Sequence, residues 1–288
     1  LPTVIKTEEN EILLTPIDKT KFYCDMWQGI WGKKPECIQS IKIWLMILKE
    51  KCAIQDREEI TADDVLRAAK LLKGSIGVDW WEVEHLRSMP YEVAQSFAIL
   101  LNCIEEKLAW PVQILLNLIV LMGKPNGGVR PIALMPMLYR LWTKIRRTDI
   151  HKWDEHHTGP WDAAIRGSSA LRAAVIGALY DEVASLNGES VATILWDMEK
   201  FYDNIDLVKL IECADEAEYP IRVFYLGIQM HMAPRAIKAY DCNMYASTPT
   251  NGIIAGCVQS NYLARVLLWE TMQQLWDRAT RTLPYNIC

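Results

Sequence analysis

Apolar residues recur every three or four positions in several long stretches of the chain. This spacing places them on one face of a helix. One helix start is well marked, because Thr61 is a suitable N-cap, and Asp63 and Asp64 in the first turn suit the helix dipole. Gly74 is expected to end that helix. The predicted helices are residues 38–48, 61–73, 91–107, 135–147, 168–185, 207–214 and 260–280.

Shorter apolar stretches are typical of strands. Residues 191–196 form a run with β-branched residues that ends directly at Asp197. Residues 113–122 are also apolar, but periodicity alone does not separate helix from strand there. Residues 221–258 are predicted to form strands and turns. Because helices and strands are mixed without a steady alternation, the pattern predicts an α+β fold.

The composition is that of a globular protein, since 51% of the 288 residues are hydrophobic and 23% are charged. These values exclude a wholly disordered chain. The formal net charge is −5, which by itself argues against broad contact with nucleic acid, because phosphate affinity comes from lysine and arginine. The charge is polarised, however. Residues 124–147 carry six basic residues and no acidic one, which leaves −11 for the rest of the chain.

The expected location is intracellular, in the nucleus or the cytoplasm. The first ten residues lack a secretory pattern, and the longest apolar stretch, residues 114–122, is too short to cross a bilayer. Eight cysteines are scattered without a C-x-x-C pair, which favours reduced thiols over a zinc site or a disulfide framework. Because no initiating methionine is present, we expect the chain to be a segment of a longer protein.

A glycine-rich turn lies between two apolar runs, and its Asn126-Gly127 pair predicts a β-hairpin. Lys124 and Arg130 lie on opposite arms of this hairpin. Side by side, they suit a triphosphate, with lysine as a point charge and arginine as a bidentate fork. The alternative is a surface hairpin with solvated charges. The order of the glycines excludes a Walker A loop.

The short predicted strand that ends at Asp197 holds this carboxylate at the edge of a sheet. Such a position suits Mg²⁺, which takes one or two protein carboxylates and fills its other positions with water and phosphate oxygens. Tyr202 can form a wall of the same pocket, and Gly252, Gly256 and Ser260 allow the backbone to pass close to a ligand. The alternatives are an aspartate that caps the next turn and plain turn geometry at the glycines.

In their order along residues 60–266, these blocks resemble the reverse transcriptase domain of non-LTR (LINE-like) retrotransposons. The stretch from Asp197 to Asp203 is close to the first palm motif of that family, D-x-x-K-A-F-D. Gly252 to Ser260 resembles the second palm motif, G-x-x-Q-G-x-x-x-S. The other similar blocks are Lys70-Leu71-Leu72-Lys73 with Gly77-Val78-Asp79, Trp110-Pro111, Lys124 with Arg130-Pro131-Ile132, and Arg166-Gly167-Ser168-Ser169-Ala170.

The resemblance implies a right-hand polymerase architecture with helical fingers and an incomplete antiparallel palm sheet. Its parts would be an N-terminal helical extension over residues 1–58, fingers over residues 59–188 and palm over residues 189–288. The implied activity is RNA-directed DNA synthesis with an RNA template, a DNA primer, dNTPs and two Mg²⁺ ions. Nothing in the sequence indicates an obligate protein partner or a membrane.

The resemblance also implies a role for each matching residue. Asp197 would ligate the catalytic Mg²⁺ ions, and Lys124 and Arg130 would hold the incoming triphosphate. Tyr202 would act as a steric gate against a ribose 2′-OH. The template and nucleotide pocket would be lined by Gly252, Gly256 and Ser260. The remaining basic residues expected to contact nucleic acid are Arg140, Lys144, Arg146 and Arg147.

The chain departs from the family pattern at three places. Trp80 replaces the last glycine of G-x-D-G, and Ala255 stands where glutamine is usual. The third palm motif, an aromatic-x-Asp-Asp turn, does not occur after Ser260. Because one carboxylate cannot hold two Mg²⁺ ions, we expect these 288 residues alone to be inactive. The alternatives are a non-catalytic nucleic-acid-binding remnant and an RNA-dependent RNA polymerase, which shares the palm.

The tryptophans divide into two groups. Trp142, Trp196 and Trp269 lie in apolar patterns and are predicted to be core residues. A tryptophan that stacks on bases is expected on a loop near basic residues. Trp80 and Trp81, beside Asp79, are the candidates for that role.

Overall fold

The computed structural model describes residues 1–278 except 8, 126, 127, 160, 166 and 193–197. Its fold is α+β, as the sequence predicts: helices pack on a mixed four-stranded sheet, and a two-stranded hairpin lies near the N-terminus. The strands are β1 (Ile5–Lys6), β2 (Ile12–Leu13), β3 (Asn117–Gly123), β4 (Val129–Leu134), β5 (Arg235–Ala239) and β6 (Cys242–Ser247).

The described part of the chain contains twelve α-helices. All seven predicted helices are confirmed, although the stretch predicted over residues 135–147 is divided near Arg146. The helices are α1 (Pro16–Trp31), α2 (Ile38–Ala53), α3 (Ala62–Lys70), α4 (Val83–Arg87), α5 (Tyr91–Lys107), α6 (Met137–Ile145), α7 (Arg147–His156), α8 (Ala170–Leu186), α9 (Phe201–Asn204), α10 (Leu207–Glu216), α11 (Ile221–His231) and α12 (Ser260–Arg278).

Helix α11 corrects the prediction of strands and turns over residues 221–258. Strands β5 and β6 occur there, but the first part of the segment is helical. Eight of the eleven residues of α11 are buried, including neighbours in sequence such as Val223, Phe224 and Tyr225. Its apolar, β-branched and aromatic residues are also typical of a buried strand, so the composition of this stretch does not separate helix from strand.

The sheet has the strand order β4-β3-β5-β6. Strands β3 and β4 form the predicted antiparallel hairpin, with Gly123 opposite Val129. Residues 113–122, for which the sequence did not separate helix from strand, are thus mostly strand. Strands β3 and β5 are parallel, and β5 and β6 are antiparallel. The described sheet is therefore mixed rather than antiparallel. The strand predicted before Asp197 falls mainly on residues 193–197, which lie outside the described residues.

Helix α1 covers one face of the sheet. Trp27 and Trp31 on this helix are almost fully buried and pack in one cluster with Ile119, Leu121 and Ile237. Since side chains alternate between the two faces of a strand, residues with even numbers on β3 and β4 point away from α1. We call the side that faces away from α1 the front face; Met122 and Arg130, which are paired across the hairpin, lie on it.

Packing contacts cross the bounds of the three predicted parts of the chain. Helix α1 packs on β5 and β6, and α2 packs on α10 and α11, so residues 1–58 are built into the rest of the fold. The four-stranded sheet takes two strands from residues 59–188 and two from residues 189–288. No helix in the described ranges is both long and apolar enough to cross a membrane.

Candidate functional site

The β3–β4 hairpin presents Lys124 and Arg130. Lys124 directly follows β3, and its backbone N–H donates to the Gly128 carbonyl oxygen at 3.1 Å, which closes the hairpin. Both side chains are exposed, and within the described part of the chain neither has a hydrogen-bond or ion-pair partner. By strand alternation, Arg130 and Lys124 lie on the same side of the hairpin. The arrangement leaves two free cations on the front face.

The block that resembles the first palm motif is only partly described. Asp197 lies outside the described residues, so its predicted role as a metal ligand stays a prediction. Tyr202 lies in the one-turn helix α9, where its hydroxyl donates to Asn261 Oδ1 at 2.8 Å and burial raises its pKa. Asp203 is turned away from solvent: its Oδ1 accepts from Trp31 Nε1 at 2.8 Å, and burial raises the pKa of its carboxyl group.

Gly252 lies against the turn after α9. Its backbone N–H donates to the Ile205 carbonyl at 2.7 Å, and the N–H of Ile253 donates to the Tyr202 carbonyl at 2.8 Å. Gly252 has φ +78°, and a Cβ there would overlap the main-chain oxygen of Asp203. Only glycine accommodates both this left-handed backbone and this contact. The structure thus brings together, through their backbones, the two stretches of sequence that resemble the first and second palm motifs.

Buried polar side chains hold the segment after Gly252. Arg235 Nη2 donates to the Gly252 carbonyl at 3.2 Å, and its guanidinium lies 4.6 Å from the centre of the Trp31 ring. His231 Nδ1 accepts from the Ile254 N–H at 3.0 Å. On the other side of Ile254, Ser260 Oγ donates to the carbonyl at 2.5 Å. Burial lowers the pKa of His231 to about 3, so this imidazole is neutral.

Ser260 and Gly256 have different surroundings. The Ser260 side chain is buried and engaged with Ile254, so it supports the loop and does not line an open pocket. Gly256 is exposed, has φ +86°, and has open space where a Cβ would lie. Next to it, Cys257 Sγ lies 3.3 Å from the hydroxyl of Tyr139, which attaches the loop to helix α6.

A groove of about 640 Å³ runs between helix α6 and the loop at Gly256. Its other walls are the end of α3 with the following loop and the front face of β4 at Ile132 and Leu134. Five cationic residues line it, and its described lining contains no aspartate or glutamate. We call this feature the cationic groove; its cationic residues are Lys70, Lys73, Arg140, Lys144 and Arg147.

The cations in this groove lie close enough to repel one another. Burial lowers the pKa of Lys144, and the charges of Arg147, Arg140 and Lys73 lower it further. Arg140 donates to the Ser75 carbonyl at 2.7 Å, and burial lowers its pKa against the opposing effect of Asp79. A polyanion bound in the groove would relieve this repulsion. Its electrostatics therefore favour phosphate groups.

Arg146 does not share this environment, although its sequence neighbour Arg147 does. It is buried and donates to both carboxylate oxygens of Glu105, from Nε at 2.7 Å and from Nη2 at 2.5 Å. Trp142 Nε1 donates to the same carboxylate at 2.7 Å. Its guanidinium neutralises a buried carboxylate of the core, so the predicted contact of Arg146 with nucleic acid stays a prediction and would compete with this ion pair.

Sequence reasoning missed four residues of the site. Lys70 and Lys73 lie outside the charged stretch of residues 124–147, and only the packing of α3 against α6 brings them into the groove. Their place in the first block of the resemblance was the available signal. No signal in the sequence indicated His231 or Arg235, because a polar residue in an apolar stretch does not reveal which backbone group it will bind.

The Mg²⁺ site that the resemblance implies depends on Asp197, which lies outside the described residues. These residues contain no group of three or more His, Cys, Asp or Glu side chains that could hold a metal ion. Asp203 is engaged with Trp31. A role in metal binding therefore falls on Asp197 by resemblance alone.

No protein-family model matches the chain, and no curated protein matches it either. Its function is inferred from the blocks in its sequence and from the geometry that brings them together.

Gly252→Ala is expected to destabilise the fold more than Gly256→Ala. Both glycines have a left-handed φ, which costs an alanine about 1 kcal/mol. Only at position 252 does the new Cβ meet main-chain atoms, which adds about 2 kcal/mol. Urea unfolding of both variants measures the difference. Equal losses of stability would contradict the close contact between Gly252 and Asp203.

The burial of His231 predicts a pH dependence of stability. Because its folded-state pKa of about 3 lies below the ordinary value of 6.5, the unfolded chain takes up a proton first as the pH falls. Stability is therefore lost between about pH 6.5 and pH 3, at up to about 1.4 kcal/mol per unit. His231→Asn keeps an acceptor for Ile254 and should reduce this slope, measured by urea unfolding at several pH values. The exposed His156→Asn is the control, and an identical slope in all three proteins would contradict the assignment.

Proposed function

We propose that this chain is a reverse-transcriptase-type polymerase domain that binds an RNA template and a DNA primer for template-directed DNA synthesis. The observation that carries the proposal is the cationic groove. Four separate stretches of the sequence line it: residues 70–75, residues 132–135, one side of residues 139–147, and residues 256–258. Three of them belong to or adjoin segments that resemble the polymerase family, and the fourth is the helical stretch that follows the segment with Arg130-Pro131-Ile132. Their convergence on one surface is what a shared nucleic-acid site requires.

The charge of the groove fits a nucleic-acid backbone. Its cations lie at the end of α3 and in the loop after it, on α6 and at the start of α7, and their mutual repulsion is uncompensated by carboxylates of the described lining. A duplex presents successive phosphates along its length, so several phosphates can be bound at once. Backbone contacts of this kind position a strand without reading its sequence, as a polymerase that copies many templates requires.

The hairpin supplies a place for the nucleotide. Lys124 and Arg130 are exposed on the front face, and Ile132 on the same face lines the groove. In this proposal the two cations bind the triphosphate of an incoming dNTP. Tyr202, held against the Gly252–Ile253 backbone, takes the role of steric gate.

The catalytic step is proposed on the resemblance only. Asp197 would hold Mg²⁺, which supplies charge stabilisation in nucleotidyl transfer. The 288 residues contain no aromatic-x-Asp-Asp motif after Ser260. We therefore propose that this chain binds primer and template but does not by itself incorporate nucleotides. An RNA-dependent RNA polymerase would use Asp203 near the nucleotide, yet this carboxylate is bound to Trp31.

The groove predicts salt-sensitive binding of an RNA template annealed to a DNA primer. Lys144→Ala with Arg147→Ala removes two phosphate contacts, so we expect binding about tenfold weaker or more. The slope of log K against log salt should fall by about 2. Fluorescence anisotropy at several salt concentrations measures both. The matched control is Lys42→Ala with Lys49→Ala, two exposed lysines on α2. Equal effects of the two double variants would overturn the proposed site.

Nucleotide incorporation separates the polymerase from a non-catalytic binding remnant. The 288-residue chain is expected to give no Mg²⁺-dependent dNTP incorporation on a primed RNA. If the reading frame continues past Cys288 into an aromatic-x-Asp-Asp motif, the longer protein should incorporate dNTPs, and Asp197→Ala should abolish this. Incorporation by the 288 residues, lost in Asp197→Ala, would contradict the expected inactivity. An inactive longer protein that still binds primer and template would favour the remnant.

A further inference from the structure

Trp80 is unusual in both exposure and backbone. Its side chain is 81% exposed, against 39% for its neighbour Trp81. Its φ is +58°, in the left-handed region that a residue with a large side chain rarely adopts. In the reverse transcriptase family that the sequence resembles, this position is a glycine, and glycine adopts a left-handed backbone without strain. Trp80 therefore combines a strained backbone with an uncovered aromatic ring.

The residues on both sides of Trp80 are anchored. Asp79 Oδ2 accepts from the Leu138 N–H at 3.0 Å, at the N-terminus of α6, where the helix dipole offsets the carboxylate charge. Trp81 packs edge-on against Phe97 of α5, with ring centres 5.4 Å apart. Within the described part of the chain the Trp80 ring has no aromatic or cationic partner. The anchors hold the backbone of Trp80 in place and leave its ring in solvent.

The turn that carries Trp80 packs against the wall of the cationic groove. Gly77 is so close to the Met135 carbonyl that a Cβ would lie 2.5 Å from this oxygen, and Met135 lines the groove. The chain leaves the groove at Gly74 and Ser75, and the Ser75 carbonyl accepts from Arg140, one of its cations. The exposed ring thus lies a few residues from the groove on a turn that the groove wall supports.

We propose that Trp80 is a stacking platform for an unpaired base of a single-stranded segment of template whose phosphates bind in the cationic groove. This inference rests on the proposed function and adds a position for the unpaired strand. Aromatic rings beside a cationic surface bind single strands because every base offers a face for stacking. Backbone strain that the surrounding structure maintains is a frequent mark of ligand sites. An exposed tryptophan in a left-handed turn has both properties.

The test uses the 288-residue protein and an RNA template with a DNA primer and an unpaired 5′ RNA overhang. The duplex fixes the register, and single abasic residues are placed in turn along the overhang. For the wild-type protein we expect one or two abasic positions to weaken binding about tenfold, measured by fluorescence anisotropy. Trp80→Gly should bind the intact overhang about tenfold more weakly and show no further loss at those positions. Trp80→Phe, which keeps a ring, should restore the abasic effect.

Trp80→Gly removes the ring and relieves the left-handed strain, so its melting temperature should not fall. Weaker binding then does not result from unfolding. If the wild-type protein binds no primer and template, both the proposed function and this inference fail. If Lys144→Ala with Arg147→Ala weakens binding but Trp80→Gly binds like the wild type, this inference alone is overturned. Abasic sensitivity that persists in Trp80→Gly would overturn it as well.

Discussion

The close contact between the Gly252 segment and the turn after α9 is the constraint on which the rest of the site depends. Two backbone hydrogen bonds, to the carbonyls of Tyr202 and Ile205, join segments about fifty residues apart. Arg235 and His231 bind the same segment from β5 and α11. A side chain at position 252 would separate these parts. Because these contacts hold the loop at Gly252, the residues that follow, Gly256 to Val258, reach the groove.

The groove shows that a total charge does not describe the local charge of a surface. The protein carries −5 overall, yet five cations line one groove whose described lining has no carboxylate. Burial lowers the pKa of Lys144, and the charges of Arg147, Arg140 and Lys73 lower it further. Arg146 and Arg147 are adjacent, but one neutralises Glu105 in the core and the other lines the groove. Charge counted along the chain does not distinguish them.

Much of the fold follows from local signals. The helix after Thr61 begins with the predicted cap, and the structure adds a reciprocal hydrogen bond from the Thr61 N–H to Asp64. The helix over residues 91–107 has the predicted bounds, and the predicted hairpin joins β3 and β4. Helix α11 was missed because its apolar, β-branched and aromatic composition resembles a strand.

The sequence by itself determined the helices with clear caps and periods, the β3–β4 hairpin and the polarity of charge, because these depend on residues close together in the chain. Only the tertiary structure decided which cations share a surface. Lys70 and Lys73 join Lys144 in the groove through the packing of α3 on α6, and Arg146 is withdrawn into the core. The reason is physical: solvation and neighbouring charge, which decide what a side chain can bind, are set by elements far away in sequence.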